Sequence, residues 1–153
     1  MTGPVVVIGV GNRFRRDDGV GPAVVDRLRA ADLPGVRLAE SDGEASALME
    51  LWSGASTAFV VDAVRAGSPV PGRVHRVVAV DSPPGPRSGA ASSHGLDLGQ
   101  TFELARVLGR LPDRLVVLAV EITDTAYGCG LCPAVAEAAD RLAAGIVEEI
   151  AGG

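Results

Sequence analysis

Residues 4–10 form an almost unbroken run of β-branched side chains, Val5, Val6, Val7, Ile8 and Val10, closed by Gly9, Gly11 and Asn12. A strand that is apolar on both faces has to be covered on both faces. The run therefore predicts a central strand of a parallel sheet rather than a half-solvated hairpin strand. Residues 57–64 and 114–120 have the same character, the first broken only by Asp62. An ionisable group in such a run needs a reason.

The segments between these strands read as crossovers. Residues 19–31 place Val20, Val24, Val25 and Leu28 at helical spacing, with Asp17 and Asp18 at the N-terminal end where a helix dipole favours them. Residues 36–40 form a short strand, and Ser41-Asp42-Gly43-Glu44 reads as a capping box opening a helix over 45–52. The connection 65–71 is too short for a crossover helix, so 73–80 is expected to return antiparallel to its predecessor as an edge strand. The alternation of Val74 and Val77 with Arg73, His75 and Arg76 fits one face in solvent. A Pro/Gly/Ser-rich loop over 81–93 precedes a helix at 97–109, with Phe102, Leu104, Ala105 and Leu108 expected to face inward. After a loop at 121–132, Pro133 opens a last helix whose stripe is Val135, Ala138, Ala139, Leu142, Ile146, Val147 and Ile150. The order βαβαββαβα implies an α/β three-layer sandwich. Its sheet is a mostly parallel, five-stranded, twisted one with one antiparallel edge strand and helices on both faces.

With 153 residues, 47% hydrophobic, the chain suffices for one domain spanning 1–153 with a real core and no need of disulfides. The net charge is −5 and all 14 basic residues are Arg, which argues against a broad nucleic-acid face. Two cysteines, Cys129 and Cys132, are too few and too close for a secreted disulfide framework, so a cytoplasmic location is expected. Neither a signal peptide nor a membrane span is expected. Nothing in the composition calls for an oligomer, and a monomer is the expectation.

In open α/β sheets ligands sit beyond the carboxyl ends of the strands. Asp17 and Asp18 follow the first strand, Asp62 ends the third, and His94 precedes a helix that starts at the same edge. Two carboxylates and a neutral imidazole suit a borderline divalent ion such as zinc or nickel. Each residue also has a plainer reading: helix-dipole partners for Asp17 and Asp18, a loop cap for Asp62, a solvated loop position for His94. Asp17 and Asp18 are not separable at this level.

Other motifs are weaker. Gly9-Val10-Gly11 lacks the third glycine of the dinucleotide fingerprint, and close backbone packing explains these glycines more simply. Cys129-Gly130-Leu131-Cys132 opens a helix, where a thiolate is favoured and redox chemistry conceivable, although Cys132 before Pro133 also fits a plain helix cap. Arg13, Arg15 and Arg16 read either as a solvated loop or as a receptor for an acidic peptide. His75 is expected at the surface, and no Ser-His-Asp or Cys-His nucleophile pattern is visible.

Gly9-Val10-Gly11-Asn12 through Asp17-Asp18-Gly19-Val20-Gly21, then Val60-Val61-Asp62-Ala63, then Ser93-His94-Gly95, together resemble the hydrogenase maturation proteases over nearly the whole chain. Tyr127-Gly128-Cys129-Gly130-Leu131-Cys132-Pro133 is similar to that family's last loop and helix start. The resemblance implies an aspartic-type endopeptidase that removes the C-terminal extension from a nickel-loaded large-subunit precursor of nickel–iron hydrogenase. It also implies that Asp18, Asp62 and His94 are both the metal-binding and the catalytic set. The nickel would arrive with the precursor, with zinc or cadmium as stand-ins, and water would be the nucleophile. Two departures stand out. Asp42-Gly43-Glu44-Ala45-Ser46 replaces the family's frequent Asp-Gly-Gly-Thr, and Cys129 and Cys132 stand where small or hydroxyl residues are common. The competing readings are a non-catalytic module that binds a metal-loaded partner and a peptidase-like hydrolase with another substrate.

Overall fold

The apolar runs become strands whose two faces are both covered. The computed structural model describes residues 3–80, 91–92 and 98–152, with the backbone alone for residues 80, 91, 92 and 98. Its elements are β1 (Val5–Val10), α1 (Val20–Ala31), β2 (Val36–Ser41), α2 (Ala45–Trp52), β3 (Thr57–Arg65), β4 (Val74–Val80), β5 (Ala91–Ser92), α3 (Leu98–Val107), β6 (Arg114–Glu121) and α4 (Pro133–Gly152). A single 3-10 turn, Arg16–Gly19, leads into α1. The sheet order is β2-β1-β3-β6-β4, with β5 attached to the end of β3. Neighbours among β2, β1, β3 and β6 are parallel, and β4 runs antiparallel to β6.

Strand periodicity sorts the core into two layers. Val5 and Val7, with Phe59, Val61, Val116 and Leu118, pack against α1 and α4. Val6, Ile8 and Val10, with Ala58, Val60 and Leu115, pack against α2 and α3, where Trp52 is fully buried and its indole N–H donates to the Arg110 carbonyl. All seven stripe residues of α4 join the first layer. The expected mostly parallel three-layer sandwich is the observed one.

β4 is the expected edge strand and runs antiparallel to its predecessor β3, with β6 inserted between them as its hydrogen-bonded partner. Three local expectations need correction. Val77 is 57% exposed on that edge, and Leu104 on α3 and Leu108 just past its end are exposed, leaving Phe102 and Ala105 as the buried residues of the helix. Ser41 does not cap α2. It ends β2, and the Glu44 carboxylate caps the helix by accepting from the Ser46 and Ala47 N–H groups. Finally, the loop expected over 81–93 contains β5, whose Ser92 and Ala91 pair with Val64 and Arg65.

The glycines of the first turn are there for close approach. A Cβ on Gly9 would lie 2.4 Å from the Gly21 carbonyl oxygen, and one on Gly21 would lie 2.6 Å from backbone atoms of both Val10 and Val61. The start of α1 thus sits directly on the carboxyl ends of β1 and β3.

Candidate active site at the carboxyl edge

The chain leaves β1, turns to β2 on one side and then returns to place β3 on the other, which makes the β1/β3 boundary the topological switch point of the sheet. Crevices form there because consecutive crossovers diverge to opposite faces. Asp18 lies in the turn that follows β1, and Asp62 lies near the carboxyl end of β3. The close contact of Gly21 with Val10 and Val61 fixes that turn over both strands. Sequence spacing alone had placed Asp18 and Asp62 at one edge, and the fold puts them at one switch point.

Asp17, Asp18 and Asp62 are 0%, 4% and 1% exposed. Burying three carboxylates under one rim is costly unless they are hydrogen-bonded or meet a cation. Asp18 Oδ2 accepts from the Asn12 N–H at 3.0 Å, a short local bond that aims the side chain from within its own loop. Asp17 has a different employment. Its N–H donates to the Asp124 carbonyl, and its Oδ1 accepts from the Cys132 N–H at 2.8 Å. The Cys132 carbonyl accepts the Ala136 N–H, so Cys132 is the helix cap of α4. Asp17 is thus a carboxylate at the positive end of α4, not of α1, and clasps the loop 122–132 to the first turn. The adjacent acidic residues, inseparable in sequence, divide into a clasp and a candidate ligand.

The thiolate expected at the start of α4 is disfavoured. Burial pushes the Cys132 thiol up from its ordinary pKa, and the neighbouring Asp17 carboxylate adds to that, outweighing the helix N–H groups that act the other way. Cys129 is exposed, and both cysteines are free thiols.

His94 lies outside the described residues. Ser92, two residues before it in sequence, is in register with Val64, two residues after Asp62. Among the described residues no cluster of three His, Cys, Asp or Glu side chains is placed to hold a metal ion. The donors that are described, two buried carboxylates, by themselves suit a hard divalent cation, and a borderline one calls for a nitrogen ligand as well.

Glu121 is a buried acid at a position where the sequence pattern alone points to the start of a loop. It ends β6, is 1% exposed, accepts from the Val70 N–H at 2.9 Å, and its Oε2 lies 2.6 Å from His75 Nε2. These partners, the Val70 N–H first and His75 next with Arg73 assisting, hold its carboxyl below the usual range. The signal for it was present: like Asp62, it interrupts an apolar run at the strand's carboxyl end. His75 is half-exposed, as expected.

Of the three clustered arginines, Arg13 is consumed. It pairs with Asp26 at 3.0 Å and Glu40 at 2.8 Å, binding the first loop to α1 and β2 and holding the Asp26 carboxyl low. Among the described residues no helix is long and apolar enough to cross a membrane.

Comparison with known proteins supplies the context for this edge. Residues 22–149 match the family described as hydrogenase maturation protease. The chain is 30% identical over 151 residues to hydrogenase expression/formation protein HupD of Rhodobacter capsulatus, covering 95% of this chain and 70% of that protein. Its fold is shared with hydrogenase maturating endopeptidase HybD from E. coli, with a TM-score of 0.72, 20% identity, and 95% and 93% of the two chains covered. It is also shared with the NiFe hydrogenase maturation protease HycI from Thermococcus kodakarensis, with a TM-score of 0.66, 24% identity, and 95% and 90% covered.

Proposed function

The chain belongs to the hydrogenase maturation protease family, and from that premise we propose that it removes the C-terminal extension of a nickel-loaded hydrogenase large-subunit precursor. The observation that carries the reading is the placement of two buried carboxylates, Asp18 and Asp62, at the β1/β3 switch point of a family endopeptidase. His94 completes the set in this proposal. The register that brings Ser92 alongside Val64 supports it, because two residues span at most ~7 Å of chain on either side.

Nickel enters as part of the substrate. Two anionic oxygens and one imidazole nitrogen recognise a divalent ion without saturating it, which leaves it attached to the precursor. Recognition of that ion restricts cleavage to precursors whose metal has been inserted. The carboxylates then have a second task, to orient a water molecule and take its proton as it attacks the scissile carbonyl. Burial suits this role, since electrostatic interactions strengthen where water is excluded. The same chemistry operates in the cytoplasm, where the precursor is made.

The test is incubation of purified protein with nickel-loaded and with nickel-free precursor, followed by the mass of the C-terminus. Trimming of the loaded form alone is expected. Trimming of both forms alike would remove metal recognition from the reading, and trimming of neither, with a stable complex formed, would replace the protease by a partner-binding module.

A further inference from the structure

The outer rim of the same edge has a construction that neither the fold nor the buried acids require. Loop 11–19 and loop 122–132 are zipped by backbone hydrogen bonds: Arg16 N–H to the Gly128 carbonyl at 2.9 Å, Gly128 N–H to the Phe14 carbonyl at 2.8 Å, and Asp17 N–H to the Asp124 carbonyl at 3.0 Å. On this stiffened ledge Phe14 is 62% and Tyr127 86% exposed. Other apolar side chains are exposed as well, Val77 and Val107 among them, but Phe14 and Tyr127 are aromatics, and large aromatics on a stiff surface are typical anchors of binding sites.

Three guanidinium groups converge on the same ledge. Arg15 Nε donates to the Thr125 carbonyl at 3.0 Å, and its guanidinium carbon lies 5.4 Å from the centre of the Tyr127 ring. Arg65 reaches the Thr125 hydroxyl, and Arg16 Nε lies 3.8 Å from Asp124 Oδ2. Asp124 is the one exposed carboxylate these arginines meet among the described residues, and Asp17 lies buried beneath. Arg13, one residue from Phe14, shows the contrast: its charge is matched by Asp26 and Glu40. On a chain of net charge −5, an excess of positive charge beside two exposed aromatics is a specific feature. Arg15 is held by its Nε and by the ring, and its two terminal nitrogens have no partner among the described residues. A guanidinium fixed in this way presents a fork to a carboxylate at little further entropic cost.

We infer that the ledge of Phe14, Arg15, Arg16, Arg65 and Tyr127 is a docking surface for a carboxylate-bearing peptide, the C-terminal segment of the precursor. The inference rests on the proposed protease function and adds a second point of substrate contact beside the carboxylate site. The metal site checks the state of the precursor, and the ledge holds its tail. The carboxylate is either an acidic side chain of that tail or the chain terminus.

The test is steady-state trimming of nickel-loaded precursor by wild type, Arg15→Ala, Phe14→Ala and Tyr127→Ala. Each variant is expected to lower kcat/KM by about tenfold or more, the cost of losing one good charge-assisted or aromatic contact, with the loss carried by KM. Among the described residues Phe14 and Tyr127 make no side-chain hydrogen bond, so their variants decide the matter even if Arg15→Ala weakens the loop. Two altered precursors identify the carboxylate: one with the acidic residues of its tail changed to amides, one with the tail lengthened by Gly-Gly. The source is the one whose alteration slows wild type and leaves Arg15→Ala no slower. Unchanged KM in Phe14→Ala and Tyr127→Ala, with wild type active, would overturn the ledge alone. Insensitivity of wild type to both altered precursors would overturn the carboxylate. Failure of wild type to trim any loaded precursor would overturn the protease reading and the ledge together.

Discussion

Asp62 and Glu121 are buried acids on the same face of neighbouring parallel strands, since Asp62 is in register with Ala119 and Glu121 lies two residues further along β6. Their backbones are roughly 8 Å apart. Yet they have opposite surroundings. Glu121 meets His75 of the edge strand β4, Arg73 just before it, and the Val70 N–H of the preceding turn. Asp62 lies near the carboxyl end of β3, at the β1/β3 switch point where the crossovers diverge. A buried acid by itself is therefore no sign of a site. What marks Glu121 as structural is the set of partners that the edge of the sheet brings to it, whereas Asp62 is singled out by its place at the switch point.

The contrast can be broken by substitution. The largest effect is expected for Asp18→Asn, which keeps shape and removes charge. Trimming of nickel-loaded precursor should fall by roughly 10²-fold or more, while the variant still unfolds cooperatively, because an amide oxygen can go on accepting from the Asn12 N–H. An assay with C-terminal mass as readout, paired with calorimetry, checks both halves.

Asp17→Ala is expected to act on the fold first. It strands the Cys132 N–H and opens the clasp on loop 122–132, which should cost about 1–3 kcal/mol of unfolding free energy. Urea denaturation measures it directly. A stability equal to wild type, with activity abolished, would move Asp17 from clasp to ligand.

Glu121→Gln sharpens the comparison through pH. The folded carboxyl titrates below its ordinary value of 4.5, so its stabilising contribution is complete above that value and disappears as pH falls through the lower, folded pKa. Wild type should lose stability in that acid window, and the variant should show a flatter curve there, starting from a lower plateau at neutral pH. Parallel melting curves between neutral pH and pH 3 would show it. The smallest effect belongs to Cys132→Ser. With the thiol held protonated, trimming should remain close to wild type, whereas a redox function would make the variant inactive.

Much of this was readable from the chain. Apolar runs on both strand faces can only be central strands, so the parallel sheet and its two helical layers followed. The pairing partner of β4 did not follow, because hydrophobic pattern fixes a strand's facing but not which neighbour a later strand displaces. Leu104 and Leu108 misled for a related reason: periodicity offers a wide apolar stripe, but α3 ends at Val107 and buries only Phe102, Ala105 and their neighbours on one side. Asp18 and Asp62 were legible from chain order together with the rule for carboxyl edges. The division of labour between Asp17 and Asp18 was not, since it depends on the Cys132 N–H arriving from 115 residues away. Arg15 and Arg16 were readable as one of two alternatives, a receptor for an acidic peptide, but Tyr127 and Arg65 beside them were not, as they come from distant parts of the chain.

The most direct test of the account is the C-terminal mass of nickel-loaded precursor incubated side by side with Asp62→Asn and with Glu121→Gln. The account predicts trimming by Glu121→Gln, at a temperature where it remains folded, and none by Asp62→Asn. Trimming by Asp62→Asn at the wild-type rate, or loss of trimming confined to folded Glu121→Gln, would contradict the placement of the chemistry at the β1/β3 switch point.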